Sequence, residues 1–190
     1  MSCNFDKENN WVVIVAGGNA TRFGKDKLLT EWLGKPLILH TIENAKSACK
    51  NVVVVASKEN VAEFKALIGD NVLFATGGET RTQSVKNGLA VLPDTAKLVA
   101  IHDGARPFAS RELYARLFES AKVYGSAIPA VKATDTTYDI SCATPRTIDR
   151  SNLINAQTPQ VFDFARLKKA YEKSPQETDD GQVWLNAYGE

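Results

Sequence analysis

The stretch "VVIVAGGNATRFGKDKLL", residues 12–29, begins as a continuous apolar run and stops at two glycines. An unbroken run of valine and isoleucine is typical of a strand that is buried on both faces of a sheet. The loop that follows carries one arginine and two lysines. The sequence therefore predicts a buried strand whose end presents small residues and concentrated positive charge.

Similar apolar runs recur along the chain and alternate with segments of helical period. The other predicted strands are "VVVVA" (52–56), "VLFA" (72–75), "LVAIH" (98–102) and "SAIPAV" (126–131). The predicted helices span residues 36–48, 58–68, 82–92 and 110–125, with Ser110 as the N-cap of the last. This alternation predicts one α/β domain, residues 1–190, built on a parallel sheet with right-handed crossovers.

The alternation of strands and helices ends after residue 131. Alternating residues in "TTYDIS" and "TIDRSNLINA" predict a β-hairpin arm over residues 132–158. A two-stranded hairpin is only marginally stable in water, so the arm is expected to need a partner surface, most simply a second copy of the chain. A last helix is expected over 163–174, and Asp179 and Asp180 stand near the start of a further one. A return into the sheet after these helices is expected to be absent.

The composition of the chain limits its classes of function. With 23 basic and 22 acidic residues the formal net charge is +1, so no global field favours nucleic acid or a membrane surface. The three cysteines have no metal-type spacing, and the polar N-terminus lacks an apolar signal region. These features predict a cytoplasmic protein that binds neither nucleic acid nor membrane, so any anion site has to be local.

Three loops are predicted at the carboxyl ends of strands, where open α/β sheets bind their ligands. They are "GGNATRFGKDK" (17–27), "TGGETRTQS" (76–84) and "HDGARPF" (102–108), and each contains glycine and arginine. Glycine lets backbone N–H groups approach an anion, and the charged groups of Arg22 and Lys27 suit a polyphosphate. One such loop could be a tight turn with solvated cations, but three on one sheet edge favour a nucleotide site. The first loop matches neither the P-loop nor the dinucleotide fingerprint.

Asp103 ends the fourth predicted strand, beside Gly104. A carboxylate near phosphate-binding loops is a natural Mg²⁺ ligand, because magnesium takes oxygen ligands and bridges phosphates. The alternative is a turn-forming aspartate that caps a neighbouring amide. His102 has the shape of a catalytic base, but a histidine at the end of a buried strand is interpreted as structural.

These segments together resemble the bacterial 2-C-methyl-D-erythritol 4-phosphate cytidylyltransferases of the non-mevalonate isoprenoid pathway, from about residue 11 to the end. The motifs that carry the resemblance are "AGGNATRFGKDK", "GGETRTQSVKNGL", "HDGARPF", "DTTYD", "RSNLINAQTPQVF" and "TDD". The resemblance implies a three-layer, Rossmann-like nucleotidyltransferase fold of the nucleotide-diphospho-sugar transferase type, with a β-arm that forms a homodimer. It also implies CTP as substrate, Mg²⁺ as cofactor, a polyol phosphate as acceptor, and release of pyrophosphate.

The resemblance further implies roles for individual residues. Arg22 and Lys27 match the residues that stabilise the transition state, and Arg150 matches an arginine that positions the acceptor phosphate. The residues expected at the nucleotide are Ala16, Gly17, Gly18, Gly78, Arg81, Ser84, Asp103 and Gly104, with Asp103 also at the metal. Those expected at the acceptor are Asp135, Thr136 and Arg150. No protein nucleophile is needed, because the acceptor's own phosphate attacks, so positioning and charge stabilisation carry the rate.

The chain departs from the family pattern in several places. Its first loop is shorter than usual between Arg22 and Lys27, and it also resembles the guanylyltransferases of molybdenum cofactor synthesis, which the later motifs do not support. Tyr138 stands where lysine is common. The family continues past "TDD" with a closing strand and helix and a lysine that helps hold the acceptor. The alternatives left open are a ribitol 5-phosphate cytidylyltransferase and an inactive, truncated nucleotide-binding relic.

Overall fold

The computed structural model describes residues 9–17, 27–173 and 177–189. In chain order its elements are β1 (Asn10–Ala16), β2 (Glu31–Trp32), β3 (Lys35–Pro36), α1 (Leu37–Ala48), β4 (Asn51–Ala56), α2 (Val61–Ile68), β5 (Leu73–Thr76), α3 (Arg81–Ala90), β6 (Leu98–Asp103), α4 (Arg111–Tyr124), β7 (Ser126–Ala127), β8 (Ala130–Lys132), β9 (Thr137–Asp139), β10 (Arg146–Ile148), β11 (Ile154–Ala156), β12 (Gln160–Asp163), α5 (Phe164–Lys173) and α6 (Asp180–Tyr188). Short 3-10 helices span Lys27–Leu29, Gly69–Asn71 and Arg150–Asn152. None of the helices in these ranges has the length and apolar character needed to cross a membrane.

Six strands form the central sheet in the order β5-β4-β1-β6-β12-β7. The strands β5, β4, β1 and β6 are parallel, which confirms the predicted parallel sheet for these four. The strand β12 runs antiparallel to both β6 and β7 and adds an antiparallel edge. The strand order reverses at β1, since β4 and β5 lie on one side of it and β6 on the other. A crevice is expected outside the carboxyl ends of β1 and β6, at this switch point.

Strand β1 is buried on both faces, as its unbroken apolar sequence predicts. Val12 and Ile14 belong to an apolar cluster formed with helices α1, α2 and α4. Val13 belongs to a second cluster, formed with α3, α5 and α6. All three side chains are fully buried, and burial of each stabilises the fold by roughly 1.5–3 kcal/mol. Helices therefore cover both faces of the sheet, and the predicted three-layer fold is confirmed.

Helix α4 begins and ends where the sequence predicts. Ser110 Oγ accepts a hydrogen bond from Leu113 N at 3.2 Å, which confirms Ser110 as the N-cap. Gly125 ends the helix in the left-handed region, with φ of 85°. A Cβ at Gly125 would also lie 2.6 Å from Arg166 Nη1. The backbone conformation therefore favours glycine there, whereas the end of the flexible Arg166 side chain could move away from a Cβ.

The structure corrects the sequence prediction at two strands. "SAIPAV" (126–131) is predicted as one buried strand, but it divides into β7 and β8, which belong to different sheets. Pro129 lies between them, and proline has no N–H to donate to a ladder. The prediction also places no sheet strand at Gln160–Asp163, where β12 enters the central sheet. Only Val161 and Phe162 are apolar in this strand, which is too little hydrophobic pattern to separate it from the arm before it.

The arm, residues 130–156, consists of two antiparallel strand pairs, β8 with β11 and β9 with β10. Its strand residues are exposed, apart from the half-buried Thr137. Large apolar side chains of the arm are between 39% and 78% exposed, namely Val131, Tyr138, Ile140, Ile148 and Ile154. The predicted strand-rich arm is thus present, and within the described chain it buries little apolar surface.

The close approach of α3 to the sheet at Gly88 gives a first prediction. A Cβ at Gly88 would lie 2.6 Å from Val13 Cγ1 and 2.8 Å from Val55 Cγ2, and these β-branched side chains have few alternative rotamers. Gly88→Ala is expected to lower the free energy of unfolding by about 1 kcal/mol in urea denaturation. The overpacking cost of about 1–3 kcal/mol exceeds the roughly 1 kcal/mol gained in helix propensity.

The control for this prediction is a Val13→Ala background, in which the nearest clashing methyl group is removed. Adding Gly88→Ala there should cost clearly less than in the parent chain, because neighbouring sites are coupled. An equal loss in both backgrounds would contradict the close-approach explanation.

Candidate functional site

A cavity of about 570 Å³ lies at the carboxyl edge of the sheet. Its walls come from the ends of β1 and β6 and from the residues that follow β4 and β5, so it occupies the crevice that the strand order predicts. The residues that line it are Val15, Gly17, Ser57, Lys58, Glu59, Gly77, Gly78, Glu79, Thr80, Arg81, Ser84 and Asp103. All three predicted loops contribute to this wall, the first of them through Gly17.

The loop between β5 and α3 is held in shape by the Ser84 side chain. Ser84 Oγ accepts a hydrogen bond from Gly78 N at 3.1 Å and donates to the Thr80 carbonyl oxygen at 3.0 Å. Thr80 Oγ1 accepts from Gln83 N at 3.0 Å and caps α3. A Cβ at Gly77 would lie only 3.2 Å from Ser84 Oγ. The hydroxyl of Ser84 therefore fixes a tight loop whose backbone faces the cavity.

Arg81 is the most closely paired cation of the cavity wall. Its Nη2 donates to Asp180 Oδ2 at 2.6 Å and lies 3.5 Å from Asp103 Oδ1. The hydroxyl of Tyr171 donates to the other Asp180 oxygen. Burial lowers the pKa of Arg81, but the hydrogen bond and charge of Asp180 outweigh it and hold that pKa above its ordinary value. The guanidinium is therefore a permanent charge at the cavity wall.

Asp103 lies between two arginines. In addition to the contact with Arg81, it accepts a hydrogen bond from Arg106 Nε at 3.1 Å. Arg106 also donates from Nη1 to Gln157 Oε1. The Asp103 side chain is 34% exposed. It is thus a carboxylate that a ligand in the cavity can reach, with a counter-charge on either side.

His102 is fully buried next to this carboxylate. Its Nε2 donates to the Arg106 carbonyl oxygen at 3.0 Å, so its Nδ1 accepts from Thr158 Oγ1 at 2.9 Å. The same hydroxyl oxygen accepts from Asp103 N at 3.2 Å. Burial lowers the pKa of His102 to about 4, so the ring is neutral near pH 7. Both ring nitrogens are engaged in fixing the Asp103 loop, which supports the structural interpretation of His102.

The structure places most of the predicted nucleotide residues in one wall. The lining residues among them are Gly17, Gly78, Arg81, Ser84 and Asp103. Ala16 is buried at the end of β1. Gly104 lies behind the wall, where its N–H donates to the Val15 carbonyl oxygen at 2.9 Å and a Cβ would lie 3.1 Å from Ile38 Cδ1. Ala16 and Gly104 therefore serve close packing of the backbone beneath the cavity.

The remaining predicted site residues lie elsewhere. Gly18 and Arg22 fall outside the described residues. Lys27 is exposed and begins the 3-10 helix that follows the first loop. The predicted acceptor residues Asp135, Thr136 and Arg150 are exposed on the arm, where Arg150 Nη1 donates to the Thr134 carbonyl oxygen at 2.7 Å. The roles of these residues remain predictions.

Sequence reasoning missed two parts of the site. Ser57, Lys58 and Glu59 line the cavity after β4, and the rule that ligands bind at strand ends would have found them, had the search not been confined to loops with glycine and arginine. Tyr171 and Asp180 carry no such signal. Asp180 stands 99 positions after Arg81, and only the packing of α5 and α6 against α3 brings them together.

The donor set for a metal ion is small. Within residues 9–17, 27–173 and 177–189, no group of three or more His, Cys, Asp or Glu side chains could hold a metal ion. Asp103 is accessible, whereas Asp180 is fully buried and already paired. Mg²⁺ often binds through one or two carboxylates together with substrate phosphates. The site therefore fits magnesium when a polyphosphate ligand supplies most of the oxygens.

Comparison with known proteins gives one consistent result. Residues 11–189 match the family of 2-C-methyl-D-erythritol 4-phosphate cytidylyltransferases. The enzyme of that name from Bacteroides thetaiotaomicron is 39% identical over 184 residues, which cover 90% of this chain and 83% of that protein. The bifunctional enzyme IspD/IspF from Pelagibacter ubique is 35% identical, over 94% of this chain and 50% of its own length. The crystal structure of 4-diphosphocytidyl-2C-methyl-D-erythritol synthase from Anaerococcus prevotii matches with a TM-score of 0.82 and 28% identity, over 93% of this chain and 83% of that one.

The Ser84 hydroxyl gives a prediction about the cavity wall. Ser84→Ala leaves Gly78 N and the Thr80 carbonyl oxygen without this partner, so the loop loses its fixed shape. We expect CTP to bind about tenfold more weakly in calorimetric titration and the free energy of unfolding to fall by about 1–2 kcal/mol.

The matched control is Ser47→Ala in α1. Ser47 is another helical serine whose hydroxyl donates to a backbone carbonyl, that of Asn44 at 2.6 Å, but it does not line the cavity. Its removal should leave CTP binding unchanged. If Ser84→Ala bound CTP as tightly as the parent chain, the proposed role of the hydroxyl would be wrong.

Proposed function

The chain belongs to the 2-C-methyl-D-erythritol 4-phosphate cytidylyltransferase family, and we propose accordingly that it transfers CMP from CTP to 2-C-methyl-D-erythritol 4-phosphate, releasing pyrophosphate. The observation that carries this proposal is the cavity at the switch point of the sheet, lined by Gly78, Arg81 and Asp103. Nucleotides bind at such switch points in doubly wound folds. The activity belongs to non-mevalonate isoprenoid biosynthesis, and the substrates are small molecules. We place the protein in the cytoplasm on the evidence of its composition.

The reaction needs little covalent chemistry from the protein. An oxygen of the acceptor phosphate forms a bond to the α-phosphorus of CTP, and the bond from that phosphorus to the pyrophosphate oxygen breaks. Negative charge accumulates on the α-phosphate oxygens as this happens, so fixed cations aimed there lower the barrier. We assign this role to Arg22 and Lys27, at the two ends of the charged part of the first loop.

The nucleotide is proposed to lie along the loop that Ser84 holds in shape. Gly78, Arg81 and Ser84 would hold the base and ribose, because the loop offers backbone N–H groups and polar side chains to a pyrimidine edge. The N-terminal end of α3, whose dipole favours anions, opens onto the same cavity. Ala16 and Gly17, with Gly104 beneath them, allow the triphosphate to approach the backbone closely.

A divalent cation is proposed because the described part of the cavity wall has little positive charge of its own. Its described lining residues include three carboxylates, those of Glu59, Glu79 and Asp103, against two cations, Lys58 and Arg81. A triphosphate therefore needs additional positive charge. Asp103 would hold Mg²⁺ together with the phosphate oxygens, and the ion would neutralise and orient the triphosphate.

The arm is proposed to complete the acceptor site of a second subunit. The arm exposes apolar side chains and buries little surface, so it needs a partner surface. A second copy of the chain has the same exposed arm, so that two copies can satisfy this requirement for each other. Asp135, Thr136 and Arg150 are all on this arm and are not among the lining residues of the cavity of their own chain. In a homodimer they would reach the partner's cavity, where Arg150 would pair with the acceptor phosphate.

The proposed function is tested by turnover with defined substrates. With CTP, Mg²⁺ and 2-C-methyl-D-erythritol 4-phosphate, we expect release of pyrophosphate, and Lys27→Ala should lower kcat by a factor on the order of 10², the usual effect of losing a transition-state donor. Lys50→Ala is the control, because Lys50 is exposed just before β4, at the opposite edge of the sheet.

Competing substrates separate the alternatives. Faster turnover with ribitol 5-phosphate would reassign the acceptor, and faster turnover with GTP would reassign the nucleotide. Absence of pyrophosphate release with every combination would favour the inactive relic.

The shared acceptor site gives a further prediction. Arg150→Ala should raise KM for the acceptor or lower kcat while CTP binding is unchanged, because a lost guanidinium misplaces the attacking oxygen. The control Arg146→Ala, also an exposed arginine of the arm, should have little effect. Mixing Arg150→Ala with Lys27→Ala should restore part of the activity, since some mixed dimers contain one intact composite site. Lack of recovery despite demonstrated subunit exchange would show that the site is not shared.

A further inference from the structure

The start of α6 reaches the charged wall of the cavity through a buried contact. Asp180 Oδ2 accepts from Arg81 Nη2 at 2.6 Å, and Tyr171 OH donates to Asp180 Oδ1. Tyr171 and Asp180 are 2% and 0% exposed, whereas Arg81 lines the cavity. We infer that Asp180, oriented by Tyr171, is a positioning residue for Arg81 and thereby sets the affinity of the site for its nucleotide. This inference rests on the proposed function, in which the cavity binds CTP.

Tyr171 fixes the orientation of the Asp180 carboxylate. Its ring belongs to the apolar cluster formed with α3, α5 and α6, so the hydroxyl has a defined position. Burial, followed by the negative charge of Asp180, raises the pKa of Tyr171 well above its ordinary value, and the phenol keeps its proton. A protonated phenol can donate to only one carboxylate oxygen at a time, which leaves the other oxygen to Arg81.

The backbone around Asp180 is held independently of Arg81. Thr82 Oγ1 donates to the Glu177 carbonyl oxygen at 2.7 Å, which ties the first turn of α3 to the segment before α6. Gln160 accepts from Gly181 N at 2.9 Å and donates to Asp179 Oδ2 at 2.7 Å, which ties the start of α6 to β12. The carboxylate is therefore a fixed point, and the flexible arginine side chain adjusts to it.

Asp180 also determines which of two carboxylates Arg81 is paired with. Asp180 is within hydrogen-bond distance of Arg81, whereas Asp103 at 3.5 Å is at the limit for a direct bond. With Asp180 in place, Arg81 stays beside α6 and Asp103 keeps one hydrogen-bonded arginine, Arg106. Without a charge at position 180, the nearest remaining anion for Arg81 is Asp103. Arg81 would then move toward Asp103, away from the position beside α6 in which it is proposed to contact the nucleotide.

The simpler explanation is a structural ion pair that affects only stability, and nucleotide affinity separates the two. In calorimetric titration of the full chain with CTP, Asp180→Asn should weaken binding about tenfold, the scale of one charge-assisted hydrogen bond. The kcat at saturating CTP should stay within about twofold, because Arg81 contacts the nucleotide equally in the ground and transition states. The control Asp163→Asn makes the same change at a half-buried carboxylate that accepts a hydrogen bond from Arg166 N at 2.9 Å and does not line the cavity, and it should leave CTP affinity unchanged.

Two further variants test whether Asp180 acts through Arg81 and is oriented by Tyr171. If Asp180 acts through Arg81, adding Asp180→Asn to an Arg81→Ala chain should weaken CTP binding by less than about twofold. Tyr171→Phe removes only the hydroxyl, so it provides the test should Asp180→Asn fail to fold, and it should weaken CTP binding about threefold.

Two results would overturn the inference, and a third would overturn the proposed function. Parental CTP affinity in Tyr171→Phe and Asp180→Asn, with a lower thermal unfolding midpoint, would overturn the inference and leave a structural ion pair. A full tenfold effect in the Arg81→Ala background would overturn it as well. Failure of the parent chain itself to bind CTP would instead overturn the proposed function on which the inference rests.

Discussion

The burial of β1 on both faces is the constraint on which the rest of the structure depends. A strand of consecutive valine and isoleucine has no face that tolerates water, so helices must cover the sheet on both sides. Connections that keep one handedness then carry the chain from β1 to β4 and β5 on one side, and from β5 back across β1 to β6 on the other. The loops at the carboxyl ends of β1 and β6 consequently separate, and the cavity opens between them. The site is thus a result of how the strand is covered.

The charges of the site are largely balanced within the protein before any ligand is considered. Arg81 and Arg106 are each hydrogen-bonded to a carboxylate, those of Asp180 and Asp103. Such pairing keeps buried and half-buried charges stable, since an unpaired one would carry the full cost of leaving water. It also means that each of these arginines meets a ligand with part of its guanidinium already committed, so a ligand is bound by the N–H donors that remain. Specific geometry, more than overall positive potential, therefore governs what this cavity accepts.

Much of the fold and part of the site could be predicted from sequence. Unbroken apolar runs identify the four parallel strands, and helical period identifies the helices between them, because both signals repeat over enough residues. The glycines and arginines at strand ends identify Gly17, Gly78, Arg81, Ser84 and Asp103 as one wall. The short strand β12 could not be predicted because only Val161 and Phe162 of its residues are apolar. Pairings such as Arg81 with Asp180 could not be predicted either, since they depend on how separate helices pack.

The residues at the end of the arm also connect it to the cavity. Gln157 and Thr158 directly follow β11, and they bond the two residues that flank the cavity floor: Gln157 accepts from Arg106, and Thr158 accepts from the backbone N–H of Asp103. These bonds connect the end of the arm directly to the loop that follows β6. A displacement of the arm is therefore transmitted to the Asp103 loop through these bonds, in addition to the sheet strands β7 and β12 that adjoin the arm in sequence. A surface that holds the arm in place consequently also restrains the Asp103 loop at the cavity wall.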